Sequence, residues 1–150
     1  MTDEAFPEWR LERIATAVET VEESIAILSE KQQLSFEQFE SDSEARDVVE
    51  RRFVKTTEAT LDIGRTILAY ERETVSETYP AIMRKLGELG VLPQTTSEEM
   101  VEAARFRNVL AHTYGEDIDH VLVYEALQDL ERYRDFLHAV RAYLGSVTQQ

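Results

Sequence analysis

The chain has no cysteine, three prolines, five glycines and only three lysines (Lys31, Lys55 and Lys85) in 150 residues. Each shortage excludes something. Without cysteine there are no disulfides, no thiolate metal sites and no cysteine nucleophile. So few glycines and prolines do not suit a loop-rich or all-β fold. The glycines are also scattered, so no glycine-rich phosphate loop is present. No stretch approaches the ~18 apolar residues that a membrane span needs. The first ten residues hold acids, a proline and a tryptophan rather than the apolar run of a signal peptide. These absences predict a soluble, cytoplasmic protein with no membrane partner. The length suits one domain over 1–150, with a real core.

What the chain has in excess is negative charge: 30 acids against 16 bases, a net charge of −14. An acid-rich, lysine-poor surface keeps its hydration in concentrated salt, where repulsion is screened within about 3 Å at 1 M. The composition fits a halophilic source, and it equally fits an acidic mesophilic protein. In both cases the basic footprint of a general nucleic-acid binder is missing. Any nucleic acid must be held by a local arginine pocket.

Apolar spacing predicts an all-α bundle of about five helices. The first carries Leu11, Ile14, Val18, Val21, Ile25 and Leu28 at alternating steps of three and four. The second opens at Ser41-Asp42-Ser43-Glu44, where Ser41 and Glu44 suit a capping box, and continues through Val49, Phe53, Thr56, Thr60, Ile63, Ile67 and Tyr70. Gly64 within it costs about 1 kcal/mol against alanine, which is either tolerated or explained by close helix packing. A third helix runs from about Tyr79 to Leu89, ended by Gly90 and Pro93. The fourth starts near Thr96, with Glu99 three residues on, and stops at Gly115. The fifth runs from about Asp117 through Val121, Leu127, Leu130, Leu137 and Leu144, roughly 27 residues or about 40 Å. Trp9 reads as a core anchor. The acid pairs Glu22-Glu23 and Glu98-Glu99 read as solvated faces.

The segment Arg107-Asn108-Val109-Leu110-Ala111-His112-Thr113-Tyr114 concentrates the chemistry. Arginine offers a permanently charged fork suited to phosphate. Histidine holds or releases a proton near neutral pH, and at a helix C-terminus the macrodipole favours its cationic form. Tyr114 adds a hydroxyl. On an ideal helix Arg107 and His112 diverge by ~140°, so one protomer assembles them poorly. Two copies meeting along this helix would build a shared cleft, and the small Ala111 permits their approach. Asn108 and His112 are neighbours at i and i+4, so Asn108 can orient the imidazole. Arg107 and His112 are expected to lie outside the apolar seam. The bland reading is an arginine paired with a nearby acid beside a polar helix end.

These residues resemble the signature of HEPN-domain proteins of the HepT-like toxin family, Arg-x-x-x-x-His-x-Tyr at the end of a bundle helix. The resemblance extends beyond "FRNVLAHTY" to "ERRFVKTTEATLDIGRTI" and to the helix after "DIDHVLVYEAL". It implies a homodimeric, metal-independent endoribonuclease without a cofactor, the toxin of a type VII-like toxin–antitoxin system. It also implies a cognate MntA-like minimal nucleotidyltransferase antitoxin that adds AMP to the motif tyrosine. Arg107 and His112 would then be the catalytic pair, Asn108 their support and Tyr114 the modified residue, with RNA as substrate. The strong negative charge is a departure that sits poorly with binding of bulk RNA.

The chemistry fits. Attack of a ribose 2′-hydroxyl on the adjacent phosphate needs proton transfer and charge neutralisation, which histidine and arginine supply. DNA lacks the 2′-hydroxyl and escapes. Arg105 is a further phosphate contact or a solvated ion pair. His120 and His138 each follow an aspartate by three residues, but no Glu-x-x-His element of a dimetal bundle occurs. The rival reading is a non-catalytic helical module binding nucleotide or protein.

Overall fold

A helix with an apolar residue at every third or fourth position has one face to bury, and the first such seam determines the main packing. The computed structural model describes residues 6–74, 78–112 and 119–148, the side chains of 111 and 112 excepted. In it α1 (Glu8–Lys31) lies antiparallel to α3 (Ser43–Tyr70). Ion pairs Arg13–Asp62 and Arg52–Glu23 mark the register on the outside of this pair. Inside, Ile14, Val21, Ile25 and Leu28 of α1 meet Val49, Phe53, Ile63 and Ile67 of α3, all buried. Burying each such side chain contributes about 1.5–3 kcal/mol.

Between these elements lies a helix that the spacing did not reveal, α2 (Phe36–Ser41). Its start is a complete capping box: the Ser35 hydroxyl accepts from the Gln38 N–H, and the Gln38 side chain accepts from the Ser35 N–H. The signal was in the sequence as Ser-x-x-Gln, but one turn and a half is too short to show a period. Ser41 therefore ends α2 instead of capping the next helix. Asp42 caps α3, its carboxylate accepting from the Ala45 N–H at 3.1 Å.

The close-packing account of Gly64 holds. A Cβ there would lie 2.8 Å from Ile82 Cγ2 and 3.1 Å from Leu86 Cδ1, both on α4 (Tyr79–Glu88). Gly90, at φ +78°, then turns the chain through a conformation that side chains resist. Helix α5 (Gln94–His112) starts earlier than Thr96. The Pro93 carbonyl accepts from the Ser97 N–H at 2.9 Å, so the proline occupies the entry position. Thr96 and Ser97 are buried within the first turn, and the Ser97 hydroxyl donates to the Met83 carbonyl at 2.8 Å.

The expected long last helix is two helices, α6 (His120–Leu127) and α7 (Glu131–Thr148). Its apolar pattern passes unbroken through the gap, because Leu127 and Leu130 are both buried. Tertiary bonds hold α6 in place: Gln32 donates its side-chain amide to the Leu127 carbonyl at 2.9 Å, and the Tyr124 hydroxyl donates to the Leu34 carbonyl at 2.7 Å. Asp129 in the gap competes for backbone bonds and suits a break. The cap of α6 is Asp119, which accepts from the N–H groups of Val121 and Leu122.

Among the described residues the fold is thus all-α with seven helices and no strand, where about five helices were expected. Among the described residues no helix is long and apolar enough to cross a membrane. Trp9 is not a core anchor: it is largely exposed, with the Arg10 guanidinium carbon 4.9 Å from its ring centre. Phe6 plays that part, buried against Tyr70 at 4.3 Å between ring centres.

Candidate functional site

The last turns of α5 are pinned to α3 by an aromatic contact. Phe106 meets the fully buried Phe53 edge-on, ring centres 5.4 Å apart at 85°. Met100, Ala103 and Leu110 are buried on the same face of α5. Arg107 lies between Ala103 and Leu110 at steps of four and three, within the seam and not outside it as its polarity suggested. Its side chain is only 16% exposed.

An arginine in that position needs partners, and two other elements supply them. Its guanidinium pairs with the Glu58 carboxylate of α3, which is itself 49% exposed. Its central carbon lies 5.0 Å from the ring centre of Tyr79, the first residue of α4. Arg65 of α3 lies at the same 5.0 Å from that ring. The Arg107 Nε is buried without a hydrogen-bond partner. One edge of the fork is therefore tied to an acid, while the guanidinium face rests on an aromatic ring.

Glu58, Arg65 and Tyr79 were not picked out by sequence. Glu58 is 49 positions from Arg107, so no local spacing reports the pairing. The only hint was a glutamate and an arginine seven residues apart on one face of a helix.

Helix α5 extends to His112, so the ~140° divergence from Arg107 applies to the backbone directions. Asn108 is half-buried one turn before it. Tyr114, Gly115 and Asp117 lie outside the described residues. Arg105 is exposed on another side of α5, in a groove shared with Arg84, Glu88, Glu98 and Glu102. Among the described residues no three acidic or histidine side chains come together as a metal site. Glu99 is half-buried; burial first, and then Asp129 and Asp135, hold its carboxyl above the usual range.

Val109, within the motif, and Val121 and Leu122 at the start of α6 are exposed apolar side chains.

The family model described as ribonuclease HepT-like matches residues 17–140. No curated protein matches the chain. Three solved structures illustrate the likeness in fold. A toxin–antitoxin crystallised with AMP-PNP has a TM-score of 0.80 at 19% identity, covering 87% of this chain and 98% of that one. The tri-AMPylated HEPN toxin of Shewanella oneidensis, in complex with MNT antitoxin, has a TM-score of 0.78 at 20% identity, covering 95% and 99%. The cytosolic protein of unknown function YutE from Bacillus subtilis has a TM-score of 0.80 at 18% identity, covering 95% and 94%.

Proposed function

The chain belongs to the HepT-like family, and from that premise we propose that it is a toxin that cleaves RNA without a metal ion. It works in the cytoplasm as a homodimer. The observation that carries the reading is the setting of Arg107: a half-buried guanidinium braced by Glu58 and Tyr79, on the same helix end as His112. A cation held this way loses little freedom when phosphate arrives, which is what transition-state stabilisation requires.

In the proposed reaction the ribose 2′-oxygen bonds to phosphorus and the bond to the 5′-oxygen breaks. The products are a 2′,3′-cyclic phosphate and a 5′-hydroxyl. His112 moves the proton, Arg107 neutralises the phosphorane charge, and Asn108 orients the imidazole. The divergence of Arg107 and His112 supports a cleft shared by two copies, with the exposed Val109, Val121 and Leu122 contributing contact surface. Arg105 adds a phosphate contact at most at the edge, since three glutamates share its groove.

Regulation follows from Tyr114. A cognate MntA-like nucleotidyltransferase would attach AMP to its hydroxyl, placing a bulky anion two residues beyond His112. That phosphate would compete with the RNA backbone for Arg107.

One observation favours the rival, a non-catalytic binding module: the Arg107 fork is already engaged by an acid. A single experiment separates the two. Purified protein is incubated with RNA in excess chelator, alongside Arg107→Ala and His112→Ala. Cleavage in the wild type, lost in both variants while circular dichroism stays unchanged, is the expected result. Intact RNA, or cleavage that survives in either variant, overturns the reading. Incubation with the nucleotidyltransferase and ATP, followed by peptide mass spectrometry, is expected to place AMP on Tyr114.

A further inference from the structure

A chain with a net charge of −14 should repel a polyanion over most of its surface, so any place where cations outnumber acids stands out. One such place adjoins Arg107. Between α1 and α3, closed at one end by Tyr79, runs an open groove of about 770 Å³. Arg13, Lys55 and Arg65 line it with Glu58 and Asp62, and Arg107 touches its rim through Glu58 and Tyr79.

The pairing within this set decides its net character. Arg13 is tied to Asp62, with Nη2 donating at 2.8 Å and Nε at 3.2 Å. Arg107 is tied to Glu58. Lys55 and Arg65 have no carboxylate partner among the described residues. Their charges are therefore unspent. Lys55 is one of only three lysines in the chain. From Lys55 to Arg65 the wall of α3 rises about 15 Å, longer than one nucleotide needs. The small side chains of Ala17 and Ala59 leave the floor open. Flat surfaces are also present, because Tyr79 carries two guanidinium groups at 5.0 Å from its ring centre.

Resting on the ribonuclease reading above, we propose that this groove is the track along which the single-stranded RNA substrate runs to and from Arg107. Lys55 and Arg65 contact phosphates flanking the scissile one, and the Arg65–Tyr79 stack offers a face to an unpaired base. This accounts for how a strongly acidic protein engages RNA: the contact is local, and like charge elsewhere rejects bulk nucleic acid. It also favours single strands, because only unpaired bases are free to stack on the Arg65–Tyr79 face.

The test uses binding rather than cleavage. A fluorescent single-stranded deoxyoligonucleotide of a dozen residues lacks the 2′-hydroxyl, so it cannot be cut and reports the track alone. Anisotropy is followed against protein concentration over a range of salt. Lys55→Gln is expected to weaken binding about threefold to tenfold, and to make the plot of log affinity against log salt shallower by about 0.7. Thr20→Glu is a second variant. The register of Arg13–Asp62 and Arg52–Glu23 puts position 20 opposite Lys55, so the new carboxylate neutralises that lysine without touching the core. It should weaken binding at least as much, and Lys55→Arg should restore it. Unchanged affinity and salt slope in folded Lys55→Gln and Thr20→Glu overturn the proposal, as does a wild type that binds no oligonucleotide at low salt. RNA cut normally by protein whose groove variants bind like wild type removes the track and leaves the nuclease standing. Binding as expected, with RNA left intact, does the reverse.

Discussion

Two arginines of this chain sit largely out of water above a tyrosine ring, and they have little else in common. Arg107 lies 5.0 Å from the centre of Tyr79, and Arg132 lies 5.4 Å from the centre of Tyr133. In each the Nε is buried without a hydrogen-bond partner. Arg132 is the more enclosed, at 7% exposure, and its tyrosine is fully buried. Burial is the main influence on the Tyr133 phenol, pushing its pKa up. The acid that feels Arg132, Glu99, lies on α5 where it packs against α7. Arg107 instead rests on a half-buried tyrosine at the end of an open groove, and its acid partner is half in water. Burial and stacking alone therefore do not distinguish the two. Access does: of the pair, only Arg107 can exchange a protein partner for a phosphate without opening the core.

The largest expected contrast comes from truncating each. Arg107→Ala should lower RNA cleavage by about 10²–10³, the usual effect of losing one donor to a developing oxyanion. Its melting temperature should change little, because Glu58 returns to water. Arg132→Ala should do the opposite, losing about 2–4 kcal/mol in urea denaturation, because its buried stem packs on the fully buried Tyr133 and truncation leaves a void there. Its cleavage per folded molecule should stay at the wild-type level. If Arg132→Ala leaves stability unchanged, the contrast between the two sites collapses.

A smaller effect is expected from Glu58→Gln, which keeps the shape of the brace but removes its charge. If Glu58 holds the fork in a productive orientation, kcat should fall about tenfold with KM little altered, as for other supporting residues. A rise in activity with a lower KM would show that Glu58 merely competes with phosphate, and that Arg107 works better unpaired.

The smallest concerns Glu99 beside Arg132. Its pKa is raised in the fold, so the protonated form is favoured there and ionisation opposes folding. The destabilisation appears as pH rises through the raised folded value, and it is absent below the ordinary carboxylate value. Glu99→Gln should therefore raise the melting temperature at pH 7, by at most about 2 °C. The gain should vanish in acid. A gain independent of pH would assign the effect to packing.

The parts of the molecule that repeat with a helical period are legible in the sequence. The seams of α1 and α3 appear as expected because burying one face of a long amphipathic helix has few solutions. At the starts of α2 and α3 the capping signals overlap: Ser35-x-x-Gln38 and Asp42 cap the helices, while Ser41-x-x-Glu44 has the same local pattern and caps neither. The break between α6 and α7 left no trace in the apolar spacing, since Leu127 and Leu130 suit either outcome; Gln32, 95 positions away, helps decide it. Trp9 failed for a related reason, because hydrophobicity measures what a side chain gains from burial, not whether a neighbour covers it.

By itself the sequence determined the all-α class, the seams of the long core helices and the resemblance to the family, because these depend on composition and on residues within a few positions of one another. The tertiary structure alone decided that Arg107 occupies a seam position and that Glu58 and Tyr79 brace it. It alone also decided that Lys55 and Arg65 meet in one groove beside it. Those facts join α1, α3, α4 and α5 across long stretches of chain. Pairings between charges so far apart follow from how the helices pack, and no local period in the sequence encodes them.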